Sequence, residues 1–374
     1  MIYADHAATT ALSPTAFEAM RPWLREQYGN PSTLYGFARA PRKAVASARE
    51  RIAACIGAKP EEICFTSGGT EADNWALTGT VFGSANRRGH IITSEIEHHA
   101  ILHTCAFLEK IGCDISFLPV DRHGIVAPDT LEAALRGDTL LVSVMLANNE
   151  IGTIEPIHEL AAIAHRRGTL FHTDAVQAMG HIPIDVSESG VDMLCASAHK
   201  FNGPKGIGFL YLRSGISLEP LMHGGAQERG MRAGTENVAA IVGMAEALCE
   251  HQNALERDAA YLNNLAKLLV DTLRAEGADF IQNGGDTRVP GSLSLSFRGA
   301  NGETLLHRLD LMGTAVATGS ACDSKNNVLS HVIRAIGVPQ AYARGTIRVT
   351  LGTDNTPDEM RIIAAQITRV LGRH

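Results

Sequence analysis

Two stretches decide the fold: Leu170-Phe171-His172-Thr173-Asp174-Ala175-Val176-Gln177 and Met193-Leu194-Cys195-Ala196-Ser197-Ala198-His199-Lys200. Each is a short apolar run that stops at a charged side chain, and neither shows the polar alternation of a half-solvated strand. Such runs suit strands buried on both faces, as in a parallel sheet. Working outward, the same kind of run recurs at Ile63–Thr66, His90–Ser94, Asp114–Pro119, Leu140–Leu146 and Gly208–Leu212. Helical patterns such as Glu159–Arg167, with Gly168 as its stop, fall between several of them. Strands alternating with helices predict an α/β fold, a mostly parallel sheet covered on both faces. Ligands of such sheets bind at the carboxyl ends of strands, where Asp174 and Lys200 fall.

Beyond this core, residues 237–276 carry one long helical pattern, with Leu262, Leu265, Leu268, Leu269 and Leu273 on its apolar side. It reads as the connection into a smaller C-terminal domain with strands at Ser292–Phe297 and Thr346–Thr350 and a final helix at Asp358–Leu371. The chain has 374 residues, enough for two packed domains. Hydrophobic residues are 45%, aromatics 5%, and 36 glycines supply tight strand–helix turns, a balance that argues against disorder. The net charge of −7 comes without a basic block, which argues against direct nucleic-acid binding. No run approaches the roughly 18–20 apolar residues of a membrane span, and Met1–Thr10 lacks a secretory pattern. Seven cysteines, at 55, 64, 105, 113, 195, 249 and 322, form no CxxC and no zinc spacing, so a reduced, cytoplasmic, metal-free protein is expected.

A third strand end adds chemistry. Phe65-Thr66-Ser67-Gly68-Gly69-Thr70-Glu71-Ala72-Asp73-Asn74 follows a strand and opens a helix. Its glycines let backbone amides and the Thr70 hydroxyl approach an anion, as a phosphate site requires. The apolar residues after Asp174 place that carboxylate in a cleft, where it needs a cationic or proton-sharing partner. Lys200 lies between a buried strand and the turn Phe201–Gly206. Desolvation there would lower its pKa and make it a competent amine nucleophile. A phosphate cradle, an acid and a lysine, each at its own strand end, are what pyridoxal 5'-phosphate (PLP) needs.

The chain resembles the cysteine desulfurases, a group of the class V aminotransferase family of fold-type I PLP enzymes. The resemblance runs nearly end to end: YADHAATT (3–10), GNPST (29–33), residues 65–74, EHHAIL (97–102), NNEIG (148–152), TDAVQ (173–177), SAHK (197–200), GMRAGTEN (230–237) and GSAC (319–322). It implies a fold-type I PLP-dependent transferase with a large PLP-binding domain, 12–255. Residues 1–11 and 256–374 would make a small α+β domain. Lys200 would hold PLP covalently, Asp174 would pair with the pyridine nitrogen and His98 would stack on the ring. Only one of the adjacent His98 and His99 can face that ring. Gln177 and Asn149 would lie near the ring hydroxyl or the substrate. Gly69, Thr70, Ser197 and His199 would hold the phosphate, with Thr235 contributed by the other subunit of a homodimer. Arg348 would clamp the substrate carboxylate, for which a guanidinium is suited, with Arg344 as its competitor.

Cys322 sits in a small, polar stretch, residues 319–327, that reads as a mobile loop with an exposed thiol. The other cysteines mostly lie in apolar runs, as small core residues do. The resemblance implies that Cys322 takes sulfur from L-cysteine as a persulfide, releasing L-alanine and passing the sulfur to an acceptor protein. Lys200 would remove the substrate α-proton. The attacking thiol must be a thiolate, so its pKa is lowered or a base such as His98 assists. Two departures from the family pattern stand out: Gly-Gly-Thr where relatives often have Gly-Ala-Thr, and a short stretch after Arg348 where relatives serving iron–sulfur assembly usually extend further. The second leaves the acceptor open between an iron–sulfur scaffold and a thio-modification enzyme. A class V aminotransferase or a selenocysteine lyase is the alternative activity.

Overall fold

The computed structural model describes residues 1–319 and 329–372. β1 (Ile2–Tyr3) precedes α1 (Pro14–Arg25) and α2 (Arg39–Cys55). Strands and helices then alternate: β2 (Ile63–Thr66), α3 (Gly69–Gly83), β3 (His90–Ser94), α4 (His99–Lys110), β4 (Asp114–Leu118), α5 (Pro128–Ala134), β5 (Thr139–Ser143) and α6 (Ile157–Arg166). β6 (Leu170–Asp174), α7 (Val186–Ser189), β7 (Met193–Ser197) and β8 (Gly208–Leu212) complete the alternation. The long α8 (Val238–Ala275) leads to β9 (Phe280–Gln282), β10 (Ser292–Phe297), α9 (Gly302–Leu311) and β11 (Thr314–Ala315). After the undescribed residues come α10 (His331–Ala335), α11 (Gln340–Ala343), β12 (Thr346–Thr350) and α12 (Pro357–Val370).

Among the described residues, the main sheet has seven strands in the order β2-β8-β7-β6-β5-β3-β4. β8 runs antiparallel to both its neighbours, and the other pairings are parallel. The predicted α/β class with a mostly parallel sheet is therefore correct. β3 and β7 are buried along their whole length, which explains why their sequences are apolar runs rather than alternations. Helices cover both faces; α3 buries Ala72, Trp75, Ala76, Leu77 and Val81 against the sheet. α6 ends at Arg166, and Gly168 takes the left-handed φ of +72° that turns the chain back into β6.

A three-stranded antiparallel sheet, β12-β10-β9, carries a second core. The amino terminus joins it: β1 pairs in parallel with β11, and Asp5 bridges to Thr350. α8 ties the two cores together. Its first half contributes Ile241, Met244 and Leu248 to the core around the main sheet, and its second half contributes Leu262, Leu265 and Leu269 to the other. Its 38 residues span about 57 Å at 1.5 Å per residue. Leu269 is fully buried, so truncation to alanine there would cost about 2–5 kcal/mol. No helix among the described residues is long and apolar enough to cross a membrane.

Candidate active site

Five strands deliver side chains to one cavity because parallel strands end on the same edge of a sheet. β2 ends into Ser67–Thr70, β3 into Glu97–His98, β5 into Met145–Asn149, β6 at Asp174 and β7 into His199–Lys200. The cavity has a volume of about 240 Å³. β12 of the second sheet closes it with Arg348, and the segment after β1 closes it with Ala7 and Ala8. Gly69, Thr70, His98, Asn149, Asp174, Gln177, Ser197, His199, Lys200 and Arg348 all line this cavity. Thr235, expected to serve the site of a second subunit, is exposed and lines a separate crevice with Arg232 and Asn237. Cys322, with Ser320 and Ala321 of the GSAC motif, lies outside the described residues.

Lys200 Nζ donates to the carbonyls of Ala7, at 2.5 Å, and Ala8, at 2.9 Å. Burial, with the positive charge of Arg348 added, lowers its pKa from 10.5 to about 8. A substantial neutral amine fraction is therefore available near physiological pH. Asp174 is 5% exposed, and its Oδ1 accepts from the Val176 amide at 2.8 Å. Burial raises its pKa, while His98 and Lys200 pull it down, so a cation in the cavity would hold it ionised. His98 caps α4, its Nδ1 accepting from the Ala100 amide at 3.2 Å, and its ring lines the cavity. His99 instead packs against His103 and His331, with ring centroids 5.1 and 5.2 Å away. Of the two adjacent histidines, His98 is the one in the cavity.

Arg348 is 3% exposed; its Nη2 pairs with Asp5 Oδ1 at 2.7 Å and its Nη1 donates to the Asn149 carbonyl at 2.9 Å. Its Nε is buried with no hydrogen-bond partner. Arg344 is exposed at the end of α11 and does not line the cavity, so Arg348 is the one of the two arginines in it. Gln177 Nε2 donates to the Ala7 carbonyl at 2.9 Å, and His199 Nδ1 lies 3.2 Å from Thr9 Oγ1. Burial and the neighbouring Lys200 lower the His199 pKa to about 4, so its ring is neutral.

Sequence reasoning missed a polar layer under this floor. Asp73, on α3, is 1% exposed, and its Oδ1 lies 3.7 Å from His172 Nε2 without a hydrogen bond. His172 Nδ1 is 2.9 Å from Ser143 Oγ, and its Nε2 is 3.0 Å from Cys195 Sγ. Burial raises the Asp73 pKa well above the usual carboxylate range, and the nearby Asp174 charge adds to it. The sequence signal was faint: Asp73 follows Thr70 by one helical turn, on a face that also carries Ala76 and Leu77. The Ala7 and Ala8 carbonyls were also missed as lysine partners, because backbone acceptors leave no trace in residue type.

PLP can be tested against these groups. α3 begins at Gly69 with Gly68 as its cap, so no side chain satisfies its first amides, and those donors face an anion site. A Cβ at Gly69 would lie 2.5 Å from Val176 Cγ2, so a side chain here would require Val176 to shift, and glycine keeps the approach open. With a buried carboxylate and a depressed lysine in the same cavity, the residues fit the group.

The family comparison agrees with this geometry. The model of the family "Aminotransferase class-V" matches residues 2–363. The chain is 49% identical over 371 residues to "Cysteine desulfurase IscS" of Dictyoglomus turgidum (strain DSM 6724 / Z-1310), covering 99% of this chain and 94% of that one. Among solved structures, "NIFS-LIKE PROTEIN" superposes with a TM-score of 0.93 at 39% identity, covering 99% of each chain. "SspA in complex with cysteine" superposes at 0.84 with 36% identity, covering 94% of this chain and 99% of that one. The chain belongs to the aminotransferase class-V family.

Proposed function

We propose that this protein is a PLP-dependent cysteine desulfurase that converts L-cysteine to L-alanine and takes the sulfur onto Cys322 as a persulfide. The observation that carries the reading is the meeting of Lys200, Asp174 and Arg348 in one cavity at the mouth of an uncapped helix. A relative named as a cysteine desulfurase at 49% identity and a similar structure solved with cysteine support it. Bound PLP would act as the electron sink that makes the substrate's Cα proton acidic and its Cβ–Sγ bond labile.

The chain's own residues do the rest. Gly69, Thr70, Ser197 and His199 hold the phosphate, and Thr235 joins them from the second subunit of a homodimer. Asp174 keeps a negative charge beside the ring nitrogen, and His98 covers the ring. Lys200 anchors the cofactor and, once released, its neutral Nζ takes the α-proton. Asn149 and Gln177 orient the ring oxygen or the substrate. Arg348 holds the substrate carboxylate through its guanidinium. The Cys322 thiolate then attacks the substrate sulfur: the S–S bond forms, the C–S bond breaks, and protonated carbon leaves as alanine. The described flanks of residues 320–328 fit this role. Ser330 Oγ donates to Glu150 Oε2 at 2.6 Å and Gly319 packs on the same carboxylate, next to Asn149 of the cavity.

The large domain is taken as 12–255 and the small one as 1–11 with 256–374, in keeping with the two cores and the β1–β11 pairing. A cytoplasmic enzyme serving an iron–sulfur scaffold or a thio-modification enzyme completes the reading. The test is reconstitution with PLP followed by addition of L-cysteine. Parent protein should show a visible cofactor band and release alanine, and Lys200→Ala should lose both covalent cofactor and alanine release. Undiminished alanine release by Lys200→Ala would overturn the assignment.

A further inference from the structure

Outside the cavity, two thiols face each other across a helix–helix contact. Cys55 ends α2 and Cys249 lies within α8, with their Sγ atoms 3.7 Å apart. Both are half-buried, whereas the other described cysteines, 64, 105, 113 and 195, are buried. One turn back along the same contact, Arg51 Nη1 pairs with Glu246 Oε2 at 2.7 Å. Positions 51 and 55 stack on α2 and positions 246 and 249 stack on α8, so an ion pair and a thiol pair form successive rungs between the two helices. The expectation that the cysteines other than 322 are core residues holds for the four buried ones and fails for this pair.

The thiols are not equivalent. The thiol contact and the positive charge of Arg51 together lower the Cys249 pKa to about 6, and the same contact pushes Cys55 up. Cys249 is thus set as the nucleophile and Cys55 as the thiol that follows. A van der Waals contact between sulfurs needs to close to about 2.05 Å for a bond, a change within reach of side-chain rotation when the two helices already pack together.

We propose that Cys55 and Cys249 form an oxidisable dithiol site whose co-reactant is a peroxide-class two-electron oxidant. The Cys249 thiolate attacks one peroxide oxygen and the O–O bond breaks, leaving a sulfenic acid and one water. Cys55 sulfur then displaces the hydroxyl as a second water, joining α2 to α8 through a disulfide. Two thiols lose two electrons in total and one peroxide gains them. The site is independent of the desulfurase reading, because neither cysteine lines the cavity.

The experiment treats PLP-loaded protein with stoichiometric hydrogen peroxide, blocks remaining thiols with iodoacetamide and maps the unreduced digest by mass spectrometry. The expected result is a peptide pair linking Cys55 and Cys249 as the dominant internal disulfide. Cys249→Ser should lose that species while keeping the parent's alanine release under reducing conditions, and Arg51→Gln should form it several-fold more slowly. Recovery of both cysteines as alkylated thiols at doses that oxidise other cysteines would overturn the proposal. So would a linked peptide that forms at the parent rate in Arg51→Gln.

Discussion

Replacing Arg348 by glutamine gives the sharpest test of how substrate is held. In the structure this guanidinium has one ion pair, to Asp5, one bond to the Asn149 carbonyl, and a buried Nε with no partner. Because Arg348 lines the cavity, a substrate carboxylate would gain a charge-assisted hydrogen bond from this guanidinium. A hydrogen bond to a charged group is worth about 1.5–3 kcal/mol. At 1.36 kcal/mol per decade, kcat/KM for L-cysteine should fall by roughly 10- to 150-fold. The interaction is made in ground and transition states alike, so the loss should appear mainly in KM. The Asp5 side chain is 20% exposed, so water reaches it and the stability cost should stay below the roughly 3–5 kcal/mol of a fully buried pair. The assay is alanine release against L-cysteine concentration, with cysteamine, which lacks the carboxylate, as comparison ligand. The parent should prefer cysteine and the variant should lose most of that preference, while the exposed Arg344→Gln should behave as parent. A folded Arg348→Gln protein whose KM for cysteine stays within about two-fold of parent would refute the reasoning, as would a matching defect in Arg344→Gln.

Two further predictions concern pH. Lys200 has a folded-state pKa of about 8 against 10.5 unfolded, so the unfolded state binds more protons in that interval and stability should rise with pH across it. Urea unfolding of the cofactor-free protein should show this slope and Lys200→Met should lack it; an identical slope in both would contradict the burial argument. Glu155 is 4% exposed, and burial raises its pKa from 4.5 to about 8. The folded state therefore holds the extra proton and stability should fall as pH rises through that interval. Glu155→Gln should flatten this fall, and an unchanged profile in its urea titration would count against it.

The strands that build the site were legible because burial on both faces leaves unbroken apolar runs. β2, β3, β8, β10 and β12 begin and end where the runs do. β5 departs instructively: the apolar run reaches Leu146, but the strand ends at Ser143. The Val144 and Leu146 amides still bond to His172 and Asp174 carbonyls while the chain turns to bring Asn149 to the cavity. Apolar character thus outlasts the ladder when a buried loop continues a strand. α1 and α2 carry no clear signal, since Pro22 interrupts the first and alanines make up much of the buried face of the second.

In the site, Lys200, Asp174 and the Gly-Gly-Thr turn could be found because each follows a recognisable strand. Arg348 and His98 were named by resemblance alone, and the register of β12 and the first turn of α4 put these two, rather than Arg344 and His99, at the cavity. Asp73 was invisible because an aspartate on a helix reads as surface until the sheet is laid over it.

The most direct test of the central claim is a single turnover of PLP-loaded protein with L-cysteine, following alanine release and the mass of the Cys322 peptide. The account predicts about one alanine per site, a one-sulfur mass increase on that peptide, and loss of both in Cys322→Ala. Alanine formed at the parent rate by Cys322→Ala, with no sulfur adduct on the parent peptide, would contradict it and point to a lyase of the same fold.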